Sequence, residues 1–335
     1  MNADALLPLV DRLAGKQILV VGDVILDEYL IGRAERLSRE APIPVLEFER
    51  RELIPGGAAN PAVNVARLGS KAIQVGVIGA DENGTLLTEL LEARGINTQG
   101  LVSDPERPTT TKTRIMAQMG LRFPQQVARI DRIDRTLVNG QIEAAICERI
   151  RKLARHVDAI MVSDYLTGLM TPMIVRAILD SKVPTKIADA QGELRKYIGF
   201  DLVKCNADEA SKFTQRTLVT NDDFVQAGKV ISRDLGGNTA VVITRGTDGI
   251  TLVGSYLTQP IHVPAPQIED VYDTVGAGDT VLAIFTLAHT RFITLPQAAM
   301  LANLAAGIVI RKVGNYAPTV DELREAIRES HTVGT

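Results

Sequence analysis

The sequence predicts an α/β protein in which helices cover both faces of a central, mostly parallel sheet. Three observations lead to this fold class. Short apolar runs rich in β-branched residues recur along the chain, and segments with helical punctuation separate one run from the next. The chain also has 335 residues, 45% of them hydrophobic, which is enough to bury a large core. Buried strands that alternate with helices are typical of parallel sheets.

The predicted elements follow in order along the chain. Six apolar runs predict strands that are buried on both faces: 18–21, 73–78, 159–163, 186–188, 202–205 and 240–244. Gly95 predicts the end of one helix, and Thr171 followed by Pro172 predicts the start of another. Thr319 and Glu322 form a capping box before the last helix. Ligands of such sheets bind at the carboxyl ends of the strands, so the residues after each run are the site candidates.

Two segments interrupt this alternation. Residues 28–54 and 109–131 alternate polar and apolar side chains, which predicts exposed antiparallel strands, and the second pair is expected to fold back near Gly120. Together they predict a small β-sheet lid over the site. The sequence shows no repeat, low-complexity stretch or flexible linker, so we expect residues 1–335 to form one domain that carries this lid.

Composition and charge exclude several classes of function. The 37 Lys and Arg residues nearly balance the 40 Asp and Glu residues, and the chain has no Trp, which argues against a general nucleic-acid binder. Cys147 and Cys205 lie far apart, so no disulfide framework or zinc cluster is expected. No leader pattern precedes the chain's first predicted strand, and no stretch approaches the roughly 18 apolar residues of a membrane span. We therefore expect a cytoplasmic protein with neither nucleic-acid nor membrane partners.

The most informative segment is DTVGAGDT, residues 273–280. Gly276, Ala277 and Gly278 precede a helix that is predicted to begin near Asp279, and their amides can form a cradle for a phosphoryl group. A carboxylate in that position repels a bound phosphate, so its presence there needs a reason. One reason is that it accepts the proton of an attacking hydroxyl. Asp279 is therefore a candidate general base. The alternative is that Asp279 only caps the helix.

A second glycine-rich segment, PGGAANPAVNVARLG, spans residues 55–69. Gly56 and Gly57 permit a close approach of the backbone, and Asn60 and Asn64 lie four residues apart on one helix face. Tight helix packing would explain the same residues. The segment is thus a candidate binding site only in combination with others.

Two acids follow the first predicted strand, ILVVG. Asp23 and Asp27 lie just beyond its carboxyl end, where carboxylates can accept hydrogen bonds from the hydroxyls of a sugar. Their alternative role is to cap loops. The predicted sheet therefore brings candidate sugar ligands to the same edge as the predicted phosphate cradle.

These segments together resemble the ribokinase-like carbohydrate kinases of the PfkB family, over essentially the whole chain. The pairing of GGAANPAVNVARLG with a later DTVGAGDT is specific to that family. The resemblance implies ATP-dependent transfer of the γ-phosphoryl group to a sugar hydroxyl. It also implies residue roles: Asp279 as catalytic base, Gly276, Ala277 and Gly278 as anion hole, and Asp27, Gly56, Gly57 and Asn60 as ligands of the sugar.

The same resemblance implies a nucleotide site and a metal. Asn206 and Glu209 match the NxxE motif of the family, whose residues organise Mg²⁺ and the phosphates largely through water. An ordinary cap between strand and helix is the alternative for this pair. Thr244 and Gly246 follow a predicted strand where the family contacts the nucleotide, and Asn303 is similar to a residue that lines the adenine pocket.

A monovalent cation such as K⁺ is expected around Asp273 and the loop near Gly314, as in many relatives. Three positions depart from the family pattern. Thr167 stands where relatives commonly have Lys, Gln191 lies in an altered Asp-Pro-Lys-Gly motif, and Val275 replaces a frequent Thr. One phosphate or nucleotide contact is therefore in question, but the proposed base and anion hole are unaffected.

Within the family, the chain is most similar to the kinase half of the heptose-phosphate kinase/ADP-heptose synthase enzymes. RLSREAPIPV, PGGAANPAVN, TTTKTRI and SDYLTG carry this similarity. It implies phosphorylation of D-glycero-β-D-manno-heptose 7-phosphate at O1, a step towards the ADP-heptose of the lipopolysaccharide inner core.

A substrate that already carries a phosphate needs cations on the lid side of the site. Arg36, Lys112 and Arg129 are the candidates, and Arg114 ranks below them. A solvated surface is the alternative for each. Asp164, at the end of a predicted buried strand, is expected to face the sugar or the phosphates.

The edges of the lid strands need covering, so we expect a homodimer that forms through the lids. None of the four histidines belongs to an HxGH nucleotidyltransferase motif, so a stand-alone kinase is expected, with a separate adenylyltransferase downstream. Other PfkB kinases, acting on fructose or tagatose phosphate, ribose or a nucleoside, are alternatives, as is a non-catalytic sugar-phosphate sensor. The chain lacks GxGxxG after its first strand and the Walker motif GxxxxGK[ST], which excludes a Rossmann dehydrogenase and a Walker-type ATPase.

Overall fold

The computed structural model describes residues 5–118, 124–255, 257–268 and 270–332. Each of the six predicted apolar runs lies inside a strand of this part of the chain. The strands are β1 (Gln17–Gly22), β2 (Val24–Leu37), β3 (Pro44–Gly57), β4 (Lys71–Gly79), β5 (Asn97–Asp104), β6 (Thr111–Gln118), β7 (Gln125–Arg132), β8 (Ala159–Asp164), β9 (Lys186–Ala190), β10 (Leu202–Asn206), β11 (Ala240–Thr244), β12 (Ile250–Val253) and β13 (Ile261–Val263). The helices are α1 (Leu7–Arg12), α2 (Ala59–Arg67), α3 (Glu82–Glu92), α4 (Gly140–Leu153), α5 (Pro172–Leu179), α6 (Ala207–Thr214), α7 (Asn221–Asp234), α8 (Ala277–His289), α9 (Leu295–Val309) and α10 (Val320–Thr332).

Nine strands form the larger sheet, in the order β13-β12-β11-β10-β9-β8-β1-β4-β5. Neighbouring strands pair in parallel from β5 to β11, and β12 and β13 extend the sheet as an antiparallel edge. The central strands are buried because their apolar side chains meet helices on both faces. The predicted mostly parallel sheet is confirmed.

Helices cover the two faces of this sheet and enclose two apolar cores. The first core includes residues of α1, α2, α8, α9 and α10, and the second includes residues of α4, α5 and α7. Side chains alternate along β10, so that Leu202 belongs to the first core while Val203 and Cys205 belong to the second. Lys204 therefore lies on the face of the sheet that α8 covers.

The predicted lid is a second sheet of four strands, in the order β3-β2-β6-β7. β2 pairs with β3 in antiparallel fashion and β6 pairs likewise with β7, which agrees with the two predicted strand pairs. The two hairpins are joined by a parallel pairing of β2 with β6, which the sequence did not indicate. The predicted turn near Gly120 lies outside the described residues.

The predicted helix ends are also present. The Thr171 side chain accepts a hydrogen bond from the amide of Ile174 at 3.2 Å, at the start of α5. Thr319 and Glu322 exchange the hydrogen bonds of a capping box before α10. Gly95 has a φ of +74° just after α3, a conformation in which glycine is favoured. In the part of the chain that the structure covers, no helix has both the length and the apolarity to cross a membrane.

Candidate active site

Helix α8 begins at the edge of the large sheet where the parallel strands end. Its N-cap, Gly276, has a φ of +84°, in the left-handed region that glycine adopts without a steric penalty. The first amides of a helix have no partner within the helix, and the helix dipole favours a negative charge beside them. Gly276, Ala277 and Gly278 therefore lie at a helix start, where an anion can bind, and the anion hole stays a prediction.

Asp279 lies in the first turn of α8 and is 5% exposed. Asn60 Nδ2 donates to its Oδ2 atom at 2.8 Å, and the hydroxyl of Tyr165 donates to Oδ1 at 3.0 Å. Burial raises the pKa of Asp279 to about 7, although these two hydrogen bonds oppose the rise. A carboxyl with a pKa near 7 is well suited to accept a proton from a hydroxyl group. We call Asn60, Tyr165 and Asp279 the base cluster.

Asn60, the residue of α2 that donates to Asp279, is held in place by the packing of α2 against α8. Asn64 Nδ2 donates to the carbonyl oxygen of Asn60 at 3.0 Å, and the Thr280 hydroxyl donates to Asn64 Oδ1 at 2.7 Å. The two asparagines thus lie on one helix face, as their spacing predicts, and that face meets α8. Asn60 contacts the base directly, whereas Asn64 links α2 to α8.

The two glycines before α2 are needed for close approach. A Cβ atom on Gly57 would lie 2.3 Å from the carbonyl oxygen of Asp23, and one on Gly56 would lie 1.9 Å from Asp27 Oδ2. Gly57 also has a φ of +55°. The predicted close approach of this backbone is present. A sugar contact at either glycine stays a prediction.

Asp23 holds the loop that follows β8. Three backbone amides donate to its buried carboxylate at 2.8–3.2 Å, those of Tyr165, Thr167 and Leu169. Between them, Leu166 has a φ of +57°, which costs a non-glycine residue about 1–2 kcal/mol. Asp23 therefore stabilises a strained loop and places Tyr165 beside the base. Both carboxylate oxygens are occupied, which favours the loop-capping alternative over the predicted sugar contact.

Asp164 is likewise engaged within the chain. Its Oδ2 atom accepts a hydrogen bond from the Tyr197 hydroxyl at 2.7 Å and lies 3.6 Å from Lys196 Nζ. Its Oδ1 atom accepts from the amide of Leu166 at 2.9 Å. The buried carboxylate thus ties the end of β8 to its neighbours, and a contact of Asp164 with the sugar or the phosphates stays a prediction.

Asp27 lies where the lid joins the large sheet. Its carboxylate accepts hydrogen bonds from Arg114 Nη1 and Asn315 Nδ2, each at 2.5 Å. A sugar hydroxyl that reaches Asp27 must therefore share these oxygens or displace a partner. Arg114 is buried and committed to Asp27, which agrees with its lower rank among the predicted phosphate ligands.

Two of the predicted lid cations lie on neighbouring strands of the lid. Lys112 on β6 is half-buried, and its Nζ atom lies 5.2 Å from the centre of the Tyr165 ring. Burial lowers the pKa of Lys112, although Asp27 opposes this. Arg129 on β7 is exposed, and its Nε atom lies 2.9 Å from Asp131 Oδ1. Lys112 is thus the predicted cation that the structure brings beside the base cluster.

The third predicted lid cation, Arg36, is not part of the site of its own chain. It is exposed near the far end of β2, where it pairs with Val45. The nine residue-to-residue steps of strand from Asp27 to Arg36 span roughly 30 Å at about 3.3 Å per step. Because β2 continues as one long strand to the tip of the lid, Arg36 lies far along that strand from Asp27, and its contact with a phosphate stays a prediction.

A cavity of about 300 Å³ lies on the other side of the start of α8. Five residues predicted for the nucleotide or the anion hole line it: Thr244, Gly246, Ala277, Gly278 and Asn303. Apolar side chains complete its walls, among them Ile250, Pro266, Ile268, Val281 and Ile310. A largely apolar cleft with a few polar groups suits a planar base that leads to phosphates at the helix start.

Two of these residues also shape the cavity wall. Asn303 Nδ2 donates to the carbonyl oxygens of Val263 and Pro264, at 3.1 and 3.0 Å. The Thr244 hydroxyl lies 3.4 Å from the carbonyl oxygen of Cys205. The amide hydrogens of Asn303 are therefore directed to the chain itself, so this residue fixes the wall that an adenine would meet.

Asn206 and Glu209 form a capping box at the start of α6. The amide of Asn206 donates to Glu209 Oε2 at 2.7 Å, and the amide of Glu209 donates to Asn206 Oδ1 at 2.9 Å. The capping alternative is thus present in the structure. Mg²⁺ prefers oxygen ligands and keeps several waters, so this pair of oxygen donors fits a metal held through water. Among the described residues, no group of three or more His, Cys, Asp or Glu side chains could hold a metal.

Asp273, predicted near a monovalent cation, joins two loops. Its Oδ1 atom accepts from the amide of Val275 and its Oδ2 atom from the amide of Gly314, both at 2.9 Å. Of the positions that depart from the family pattern, Thr167 is buried on the loop that Asp23 holds, and Gln191 is exposed. A cation at Asp273 stays a prediction.

Sequence reasoning missed three side chains of the site: Tyr165, Lys204 and Asn315. Lys204 is 5% exposed, and its Nζ atom lies 2.6 Å from Asp189 Oδ2. A lysine inside the apolar run of β10 was the available signal, because a buried lysine needs a partner. Asn315 lies in a loop and carried no such signal. Tyr165 was noted only within SDYLTG.

A buried carboxyl group between a lid and a nucleotide-sized cavity is the arrangement expected of a phosphotransferase with a small, hydroxyl-bearing acceptor. Comparison with known proteins agrees with this class. Residues 16–322 match the pfkB family of carbohydrate kinases, and the chain belongs to that family. It is 38% identical over 324 residues to the bifunctional protein HldE of Caulobacter vibrioides, covering 96% of this chain and 65% of the relative. HldE of Geobacter metallireducens is 38% identical over 322 residues, covering 94% and 63%.

Solved structures confirm the fold. Phosphofructokinase-2 from Escherichia coli, in complex with substrates and products, superposes with a TM-score of 0.74 at 20% identity, covering 94% of this chain and 98% of that one. Ribokinase from Arabidopsis thaliana, complexed with ribose and ATP, gives a TM-score of 0.70 at 18% identity, covering 94% and 99%. The predicted ribokinase-like fold and the prediction of a carbohydrate kinase are confirmed. The chain spans just under two thirds of the length of the HldE relatives.

Proposed function

We propose that this chain transfers the γ-phosphoryl group of ATP to O1 of D-glycero-β-D-manno-heptose 7-phosphate, giving the 1,7-bisphosphate and ADP. The observation that carries the proposal is Asp279, a buried carboxyl with a pKa of about 7 in the helix turn that also lines the nucleotide cavity. The similarity to two bifunctional HldE proteins, together with the RLSREAPIPV and SDYLTG segments, supports the choice of a heptose phosphate.

In the proposed reaction the sugar lies between the lid and the base cluster. Asp279 accepts the proton of the 1-hydroxyl while that oxygen attacks the γ-phosphorus, and the bond from phosphorus to the ADP oxygen breaks. The amides of Gly276, Ala277 and Gly278 stabilise charge on the transferred phosphoryl oxygens. Asn60 and Tyr165 keep the carboxylate of Asp279 in one orientation. A closed lid excludes water, which otherwise competes as the acceptor.

Asn206 and Glu209 would hold Mg²⁺ through water, near the phosphates. The chemistry that Mg²⁺ supplies when bound is charge neutralisation on the phosphate oxygens. The monovalent cation is proposed near Asp273, whose carboxylate joins two loops beside the predicted anion hole.

The phosphate at the far end of the substrate meets the lid in this proposal. Lys112 is the principal cation, because its ammonium group is half-buried beside Tyr165. Arg129 lies opposite Arg114 in the register of β6 with β7, one strand further from Asp27. A phosphate that reaches Arg129 must compete with Asp131 for the guanidinium group.

We further propose a homodimer that joins through the lids. β3 and β7 are the edge strands of the lid sheet, and exposed edges favour pairing with another chain. The use of ATP favours a cytoplasmic location for the reaction. The product, the heptose 1,7-bisphosphate, would next require a separate adenylyltransferase to form ADP-heptose. Sedimentation of the purified chain at micromolar concentration tests the dimer, and a monomer would contradict it.

The test of the substrate is ADP release with Mg·ATP across a panel of acceptors: heptose 7-phosphate, fructose 6-phosphate, fructose 1-phosphate, ribose and adenosine. A strong preference for heptose 7-phosphate is expected. Preference for another acceptor would support the kinase activity but contradict heptose 7-phosphate as the substrate. Absence of turnover with every acceptor would contradict the enzyme and favour the sugar-phosphate sensor.

A further inference from the structure

Lys204 is a buried charge that the mechanism above does not use. It lies on β10, next to Asp189 on β9 in the parallel register of the two strands. Its Nζ atom has Asp189 Oδ2 at 2.6 Å, and an ammonium group has three hydrogens to donate. A buried ion pair recovers little of its desolvation cost, so stability alone does not explain why this strand carries a lysine.

The position of the ammonium group relates it to the anion hole. A Cβ atom on Gly278 would lie 2.9 Å from Lys204 Nζ, so the ammonium lies directly beside the first turn of α8. Gly278 also lines the nucleotide cavity. The positive charge is therefore at the point where the cavity, the helix start and the base Asp279 meet.

One carboxylate pairs with this cation, and the charges of two others act on it. Asp189 is the ion-pair partner of the Lys204 ammonium group at 2.6 Å, and the carboxylates of Glu209 and Asp279 attract the same group electrostatically. Glu209 belongs to the proposed Mg²⁺ pair and Asp279 is the proposed base. The ammonium thus lies among the groups that a γ-phosphoryl group would pass between.

We propose that Lys204 is a catalytic residue that contacts the γ-phosphoryl group of ATP, and that Asp189 is its counter-ion when the site is empty. As ATP binds, one N–H of the ammonium stays on Asp189 while another donates to a phosphoryl oxygen. During transfer the bond to the ADP oxygen breaks and the bond to the sugar oxygen forms. The sugar proton goes to Asp279, and Lys204 keeps its own protons throughout. The inference rests on the phosphoryl transfer proposed above.

The test compares two nucleotides that differ in the terminal phosphoryl group. Lys204→Met combined with Asp189→Asn removes both charges and leaves no buried ion unpaired. Calorimetric titration with Mg·ADP and with the non-hydrolysable Mg·AMP-PNP then measures recognition of the third phosphoryl group. We expect the double variant to bind ADP within about threefold of wild type, to lose about tenfold or more of its AMP-PNP affinity, and to lose about 100-fold in kcat.

Controls separate this role from a structural one. Lys229→Met makes the same change on the exposed face of α7 and should leave both affinities at wild-type values. Lys204→Gln retains a donor for Asp189 but removes the positive charge. If the double variant does not fold, Lys204→Gln replaces it in the test, and the same losses of AMP-PNP affinity and kcat are expected. A variant of Lys204 that folds and keeps the wild-type ratio of AMP-PNP to ADP affinity would overturn the inference.

The outcome is independent of the sugar. Wild-type protein that discriminates AMP-PNP from ADP through Lys204, yet turns over no acceptor of the panel, would contradict the proposed substrate and retain the phosphate contact. Wild-type protein that binds neither nucleotide would contradict both proposals.

Discussion

The base cluster and the lid differ in how firmly the chain holds their functional side chains. Asp279 has a hydrogen-bond donor on each carboxylate oxygen, and each donor is held in turn by α2 or by the loop that Asp23 stabilises. Lys112, in contrast, has a ring face as its close neighbour, and Arg129 has an exposed ion pair with Asp131. The difference predicts that the Asp279 side chain is held in place before substrate binds, whereas the lid side chains gain their contacts with the substrate.

The largest expected effect is on the preorganised side. Asp279→Asn keeps the shape of the side chain but removes the proton acceptor, so kcat should fall about 10³-fold or more. Affinity for Mg·ADP should stay within about threefold, because Asp279 acts on the acceptor hydroxyl. Steady-state kinetics and calorimetry measure the two quantities. Turnover close to that of wild type in this variant would remove Asp279 as the base.

The lid side should respond in substrate affinity. Lys112→Met removes a charge-assisted contact to the distal phosphate, so KM for the sugar phosphate should rise about 10- to 100-fold while KM for ATP stays unchanged. Arg36→Met is the matched control, since Arg36 lies at the far tip of the lid. An unchanged KM for the sugar phosphate in Lys112→Met would contradict the assignment of Lys112, and a rise in Arg36→Met would point to the lid tip of a second copy.

A smaller effect is expected from the residue that links the two regions. Tyr165 donates a hydrogen bond to Asp279, and its ring faces the ammonium of Lys112. Tyr165→Phe keeps the ring but removes the donor that stabilises the charged carboxylate. The pKa of Asp279 should therefore rise, so the midpoint of the pH profile should move upward, with about a tenfold loss of kcat/KM at pH 7. A downward shift would contradict the role given to this hydroxyl.

The comparison also explains how far the sequence could lead. Periodicity and the glycine-rich segments suffice for the strand runs, the start of α8 and the close approach at Gly56, because each depends on local chemistry. Asn60 is predictable for the same reason, since its spacing from Asn64 places both on one face of α2. These features needed no knowledge of distant contacts.

The positions that residues take through long-range register were not predictable in this way. The distance of Arg36 from the site follows from the length of β2, and the position of Lys112 follows from the parallel pairing of β2 with β6. Asp23 and Asp164 each follow an apolar run, which is where a sugar ligand is expected. Their hydrogen-bond donors, however, include Tyr165 and Tyr197, which lie more than 30 residues away along the chain. Only the folded sheet shows whether such a carboxylate is free to bind a ligand or holds a loop through internal hydrogen bonds.

The most direct test of the account is the pH dependence of kcat/KM for wild type and Asp279→Asn with the preferred acceptor. The base must be ionised to accept a proton, so wild-type kcat/KM should fall about tenfold for each pH unit below a midpoint near 7. The residual activity of Asp279→Asn should lack that midpoint. A wild-type profile that is flat between pH 5.5 and 8.5, or the same midpoint in the variant, would contradict the claim that Asp279 is the base.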